Sequence, residues 1–216
     1  MNLKGILPYL ILPLGISIYE VATLVVMSTH SLDSITLSVY QPQNAFISMF
    51  WYDGNNNLIG FLFLFVFSDF TLLYLPLEQK YIRAFSILIL SFLIGYYANV
   101  EWLNTVNFNY SFGQSGVVFA LFGITVGIIV FDSVVLLIHR NYLLSFSFIF
   151  TSLVFLIVIF TDFDGFFNIS PGITYIVHEY AFEYGLIAGS LLSIFQEFIA
   201  VITRRSYGYQ YFIGGI

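Results

Sequence analysis

The stretch SGVVFALFGITVGIIVFDSVVLLI, from Ser115 to Ile138, carries a single charged side chain, Asp132. As a helix rising about 1.5 Å per residue, it is long enough to cross the roughly 30 Å hydrocarbon core of a bilayer. The remaining sequence agrees with that reading. Of 216 residues, 59% are hydrophobic and 20% aromatic, and only 8% are charged. Mean hydropathy is +0.93. A water-facing surface takes about 25% charged residues, so most of this surface faces lipid. Clustered Lys and Arg of the kind a nucleic-acid binder uses are lacking, with 6 basic against 12 acidic residues. There is no cysteine, which excludes disulfides, thiolate metal sites and Cys nucleophiles.

Outward from this stretch, five more apolar segments can be marked. The six predicted spans are residues 6–28, 58–77, 85–100, 115–138, 143–160 and 173–202. A polar, aromatic-rich connection, residues 30–57, separates the first two, and the other links are short. The apolar run at the start continues through Val26, so it reads as a first span rather than a cleaved signal peptide. No tandem repeat or low-complexity linker divides the chain. The expected architecture is therefore all-α: one six-transmembrane-helix bundle, a single domain over residues 1–216.

Orientation follows from the cations. Lys4 precedes span one, Lys80 and Arg83 lie between spans two and three, Arg140 between four and five, and Arg204 and Arg205 after six. Alternate threading puts all of them on one side, the expected cytoplasmic side. Both termini are then cytoplasmic in a multi-pass cell-membrane protein, and the loops 30–57, 101–114 and 161–172 face outward. Two glycosylation sequons, Asn109-Tyr110-Ser111 and Asn168-Ile169-Ser170, fall on those outer loops.

A polar or ionisable residue inside a span needs a reason, because its burial costs several kcal/mol. The candidates are Asp69, Ser115, Asp132, His178, Glu179, Glu183 and Glu197. His30 and His139 sit at span ends, where water reaches them. Asp132 is near the cytoplasmic end and is expected to pair with a cation such as Arg140 or to meet water. Asp69 and Glu197 are assigned to helix–helix hydrogen bonds, and Glu179 and Glu183 to a hydrated outer rim.

Ser115 and His178 make a different kind of pair. Spans four and six run in the same direction, Ser115 opens span four, and His178 lies a few residues into span six, about 9 Å below its outer end. A Ser hydroxyl becomes a nucleophile when a base takes its proton, and neutral imidazole is the usual base. Gly113 and Gly116 flank the serine and allow close approach. Beyond His178, the small residues Ala181, Gly185 and Gly189 form a stripe on which another helix can pack backbone to backbone. Packed against span four, that stripe delivers His178 to Ser115. The glycine-flanked serine and the small-residue stripe, each alone, are more often plain helix packing; a lone intramembrane histidine is the better functional flag. Their shared depth makes the conjunction informative.

The run Gly113-Gln114-Ser115-Gly116-Val117-Val118-Phe119-Ala120-Leu121-Phe122-Gly123 resembles the fourth span of rhomboid intramembrane serine proteases, whose pattern is Gly-x-Ser-Gly with an aromatic four residues after the serine. His178-x-x-Ala181-x-x-x-Gly185 is similar to the family's sixth-span His-x-x-Gly-x-x-x-Gly, with Ala at the first Gly. The stretch 46–50 and Leu58-Ile59-Gly60, running into residues 61–67, is similar to the family's entry into span two. The resemblance implies a dyad in which Ser115 attacks a peptide carbonyl and His178 is general base, then acid. Phe119 takes the place of the aromatic, usually Tyr, on which the family stacks its histidine. The family commonly has His-x-x-x-Asn at the start of span two, whose side chains help bind the oxyanion; the matching positions here are Asn57 and Phe61. Asn57 retains a donor amide, and losing one such donor typically costs about a hundred- to a thousand-fold in rate.

The resemblance thus implies an endopeptidase that cuts membrane-anchored helices of other proteins near the outer face. It implies no cofactor or metal, and needs no oligomer, since one chain holds both groups. The alternative is an inactive relative that binds transmembrane clients. A third reading, a small transporter, would use Asp69, Asp132 and Glu197 as an ion path.

Overall fold

Where small residues recur at helical spacing, backbones can touch, and in lipid that contact replaces the hydrophobic effect as the force between helices. The computed structural model, which describes residues 3–38, 40–51, 66–105, 114–162 and 175–202, is built on that principle. Its long helices are α1 (Pro8–Thr29), α2 (Leu77–Thr105), α3 (Ser115–Ile138), α4 (Tyr142–Asp162) and α5 (Tyr175–Ile202). Short helical turns occupy Leu3–Ile6, Leu32–Ile35, Pro42–Ala45 and Ile47–Phe50. No strand occurs among the described residues, only an isolated bridge between Ser38 and Gln41. The molecule is an all-helical, multi-pass membrane protein.

Four helices among the described residues are long and apolar enough to cross a bilayer: Pro8–Thr29, Leu77–Glu101, Ser115–Ile138 and Val177–Ile202. α4, Tyr142–Asp162, carries a further apolar run that covers the expected fifth span. The expected second span is described only from residue 66, as helix over 66–70 and then turns; residues 58–65 lie outside the described set. The six-span expectation is thus met for four crossings. The third span begins earlier than residue 85, because α2 takes in Leu77 and the polar residues after it.

α3 is the central helix. In it 67% of the spanning window is buried, against 17% in α1. Large apolar side chains on the other helices point outward: Ile18 is 70% exposed, Phe150 68% and Val201 66%. The interior holds Thr23, Ser68, Thr125 and Arg83. Apolar outside and polar inside is the distribution a lipid-facing bundle requires.

α3 and α5 cross at reciprocal glycines. A methyl on Gly123 would overlap the Phe182 carbonyl oxygen, and one on Gly127 that of Leu186. From the other helix, a methyl on Gly185 would meet the Ala120 carbonyl oxygen, and one on Gly189 that of Ile124. At Gly5, by contrast, a Cβ would have nothing within 4 Å. Alanine has the higher helix propensity, by about 1 kcal/mol over glycine, so Gly5→Ala is expected to be neutral or slightly stabilising. Gly189→Ala is expected to cost about 1–3 kcal/mol through overpacking. Thermal unfolding of the two variants in detergent should separate them by several degrees, with opposite signs relative to the parent.

α3 ends without a glycine. The Asn141 amide donates to the Leu136 carbonyl at 2.8 Å and the Arg140 amide to Leu137 at 2.9 Å, the two bonds of a Schellman stop. Arg140 supplies the left-handed residue, at φ 61°. The bundle end where this turn lies also gathers other cations. Lys80 Nζ donates to the Tyr9 hydroxyl at 2.6 Å, the Tyr81 hydroxyl donates to the Lys4 carbonyl at 3.2 Å, and His139 beside the turn faces Glu197 at 3.5 Å.

One expectation is corrected here and another is given its partner. Arg83 is not in a loop: it sits within α2, fully buried. Asp132 pairs with a cation, as expected, and that cation is Arg83 and not Arg140, at 2.5 Å. The guanidinium is saturated further by Gln196 Oε1 at 2.6 Å, the Thr71 carbonyl at 3.2 Å, the Tyr74 hydroxyl at 3.1 Å and Ser193 Oγ at 3.4 Å. α2, α3, α5 and the segment 71–74 are thereby tied at one buried cation.

Candidate active site

At the opposite end of α3 from that ion pair, Ser115 is the first helical residue. The residue before it, Gln114, is wholly buried and held on two sides. Its amide N–H donates to the Trp51 carbonyl at 3.2 Å, and its side-chain amide donates to Thr23 Oγ1 at 2.9 Å. The connection after α1 is itself pinned: the Tyr19 hydroxyl donates to the Met49 carbonyl at 2.5 Å and Asn99 Nδ2 to the Ala45 carbonyl at 3.3 Å. Ser115 is therefore presented at a fixed helix start. There the first N–H groups lack acceptors within the helix and the dipole is positive.

Phe119 is one turn further along α3, on the same face as Ser115, and is buried. The His178 ring stacks on it, with centroids 4.3 Å apart and planes inclined by 15°. Beside this stack the backbones draw close. A methyl on Gly116 would lie 3.3 Å from Val177 Cγ1 and 3.5 Å from the Gly95 carbonyl. So α2, α3 and α5 converge within one turn of Ser115. Ala181, one turn below His178, is completely buried.

His178 Nδ1 is buried and has no hydrogen-bond partner among the described residues. No hydrogen bond joins Ser115 and His178 among those residues either. As residues both are half-buried, while the Nδ1 edge of the imidazole is buried against its surroundings. In chemical terms the arrangement is a hydroxyl at a helix N-terminus with an aromatic-held imidazole on the neighbouring helix, whose ring nitrogens make no hydrogen bond among the described residues. Such an imidazole can take a proton and be oriented while doing so.

Of the five predicted site residues, Phe119 and His178 are in ring contact, and Ser115 lies one helical turn before Phe119 on α3. Asn57 and Gly113 lie outside the described residues, as do Phe61, both sequons, Arg204 and Arg205. Glu179 and Glu183 are exposed, in keeping with a rim position. Glu197 faces His139 across two helices, whereas Asp69 Oδ1 is buried without a partner. Among the described residues no three His, Asp or Glu side chains converge as a metal site requires. Gln114 is the residue that sequence reasoning undervalued. A carboxamide within an apolar approach to a span was the available signal, since lipid offers it no partner.

Comparison with protein-family models, with curated proteins and with solved structures returns no match. The chemistry of these residues is accordingly the ground for a functional reading.

Proposed function

We propose that this protein is an intramembrane serine endopeptidase of rhomboid type, with Ser115 as nucleophile and His178 as general base and acid. The observation that carries the reading is the His178 ring stacked on Phe119, one helical turn from Ser115. A core histidine with a merely structural role would be expected to have its buried nitrogen satisfied; Nδ1 here has no partner among the described residues.

In this mechanism His178 takes the Ser115 hydroxyl proton as Oγ attacks the scissile carbonyl. The tetrahedral oxyanion is met by the Ser115 backbone N–H at the positive end of α3 and by the Asn57 amide. Collapse expels the amine, which takes its proton from His178, and leaves an acyl-enzyme. Water, deprotonated by His178, then releases the acid. Phe119 keeps the imidazole plane fixed through both proton transfers. The substrates are transmembrane segments of other proteins, cut near the outer membrane face. No cofactor takes part, and both termini of the enzyme are cytoplasmic.

A second reading has a specific observation behind it: Asn57 and Phe61 stand where the related pattern has His and Asn. On that reading the protein binds transmembrane clients without cutting them. One experiment separates the two. The purified protein in detergent is treated with a fluorophosphonate probe and the adduct is mapped by mass spectrometry. Labelling of Ser115 that disappears in Ser115→Ala supports the protease; no adduct in the parent protein, together with unchanged client capture by Ser115→Ala, supports the binder.

A further inference from the structure

Between residues 66–73, α1 and α4 lies a cavity of about 320 Å³ lined by Tyr9, Phe67, Phe70, Leu73, Thr151 and Asp69. That volume is at the lower end of the range for ligand pockets, and an apolar wall with a few polar groups is their usual make-up; the polar groups here are Asp69, Thr151 and the Tyr9 hydroxyl. Its edges open to the lipid side, since Val66 and Leu73 are each 54% exposed. Among the polar groups the Asp69 carboxyl stands out, with Oδ1 buried and no hydrogen bond to it among the described residues. A buried acceptor left unmade costs about 1–3 kcal/mol, and more when charged, so the site calls for a donor that the described residues do not supply. Two cations of the adjoining helix have other partners: Lys80 donates to the Tyr9 hydroxyl and Arg83 is held by Asp132.

The depth of Asp69 limits what that donor can be. Its neighbour Ser68 shares a 2.7 Å hydrogen bond with Thr125. Thr125 is about ten residues along α3 from Ser115, roughly 15 Å, which puts Asp69 near the middle of the bilayer. Lipid headgroups stay at the interface, so a lipid would offer Asp69 only its acyl chain and leave the carboxyl unmet. A side chain carried by a membrane-spanning helix can reach this depth.

We propose that Asp69 is a specificity residue which receives a lysine or arginine in the membrane helix of the substrate, about ten residues beyond the bond that is cut. This rests on the protease reading for the occupant being a substrate. A helix with a lone mid-bilayer cation is itself costly in lipid, by about 2.5–3.5 kcal/mol on insertion scales. Docking against Asp69 relieves that cost, so the two unmatched charges select each other.

The test uses Ser115→Ala, which binds without cutting, reconstituted in bicelles with a fluorescent single-span peptide. Peptides carry lysine, norleucine or glutamate at the matching depth, or the lysine moved two turns toward either end. The expected result is at least about tenfold tighter binding for mid-depth lysine over norleucine, weaker binding for glutamate, and loss of the preference in Asp69→Asn but retention in Asp69→Glu. Equal binding of the lysine and norleucine peptides by a protein with an intact Asp69 would overturn the inference, whether or not Asp69→Asn folds. So would a lysine preference that survives in folded Asp69→Asn, or one indifferent to depth. The readout is binding, so it is independent of hydrolysis. Lysine-selective binding without any Ser115 adduct would reject the protease and keep the Asp69 site; an adduct without lysine selectivity would do the reverse.

Discussion

His178→Ala is expected to reduce cleavage of a transmembrane substrate by about 10⁶-fold, the order found when a serine protease loses its histidine base. Ser115 then has nothing to take its proton, and an unassisted hydroxyl is a weak nucleophile. The loss should fall in kcat with KM little changed, because His178 acts on the reacting atoms rather than on substrate held elsewhere. The variant should fold. The imidazole is only half-buried and its Nδ1 makes no bond that folding depends on, while the glycine contacts that join α3 to α5 lie further down, from Gly123 onward. Turnover and fluorophosphonate labelling rate, measured beside thermal unfolding, check this. A variant that unfolds at the parent temperature and still labels at the parent rate would remove His178 from the mechanism.

The parts of the fold that were legible are those written in local pattern. The run from Ser115 to Ile138 marked α3 without error at either end, because a span needs length and apolarity together. The spacing of Ala181, Gly185 and Gly189 announced a face for close backbone contact, and that face meets α3. Phe119 one turn from Ser115 was placed by helical geometry alone. What stayed hidden was pairing between distant positions. Arg83 and Asp132 are 49 residues apart, and no local pattern links them. Arg83 was read as a loop cation because polar residues before an apolar stretch look like a connection. Instead, Glu78, Gln79 and Lys80 form the first turns of α2 after Pro76. For the same reason the partner of Glu197 was not foreseeable from its own helix. His139 lies in the turn after α3 and reaches it only through the way α3 and α5 pack.

Asp132→Ala is the second change expected to have a large effect, on stability and not on chemistry. Removing one member of a buried ion pair strands the other, at a cost of about 3–5 kcal/mol. Arg83 has no exposure to water into which it could relax. Its remaining partners, Gln196, Tyr74, Ser193 and the Thr71 carbonyl, are neutral and leave the charge unbalanced. For a chain of this length that corresponds to a fall in unfolding temperature on the order of 10 °C. The same argument fixes the sign of the double variant. Arg83→Met with Asp132→Leu removes both charges and fills similar volume, so it should recover most of the loss and give a strongly favourable coupling in a double-mutant cycle. Each single variant is measured by thermal unfolding in detergent together with the pair. Additive losses would mean that the guanidinium is held mainly by its neutral partners. Recovery in the pair would mean that charge balance between α2 and α3 is what keeps this end of the bundle closed, leaving the Ser115 end to be set by the Gln114 clamp and the α3–α5 glycines.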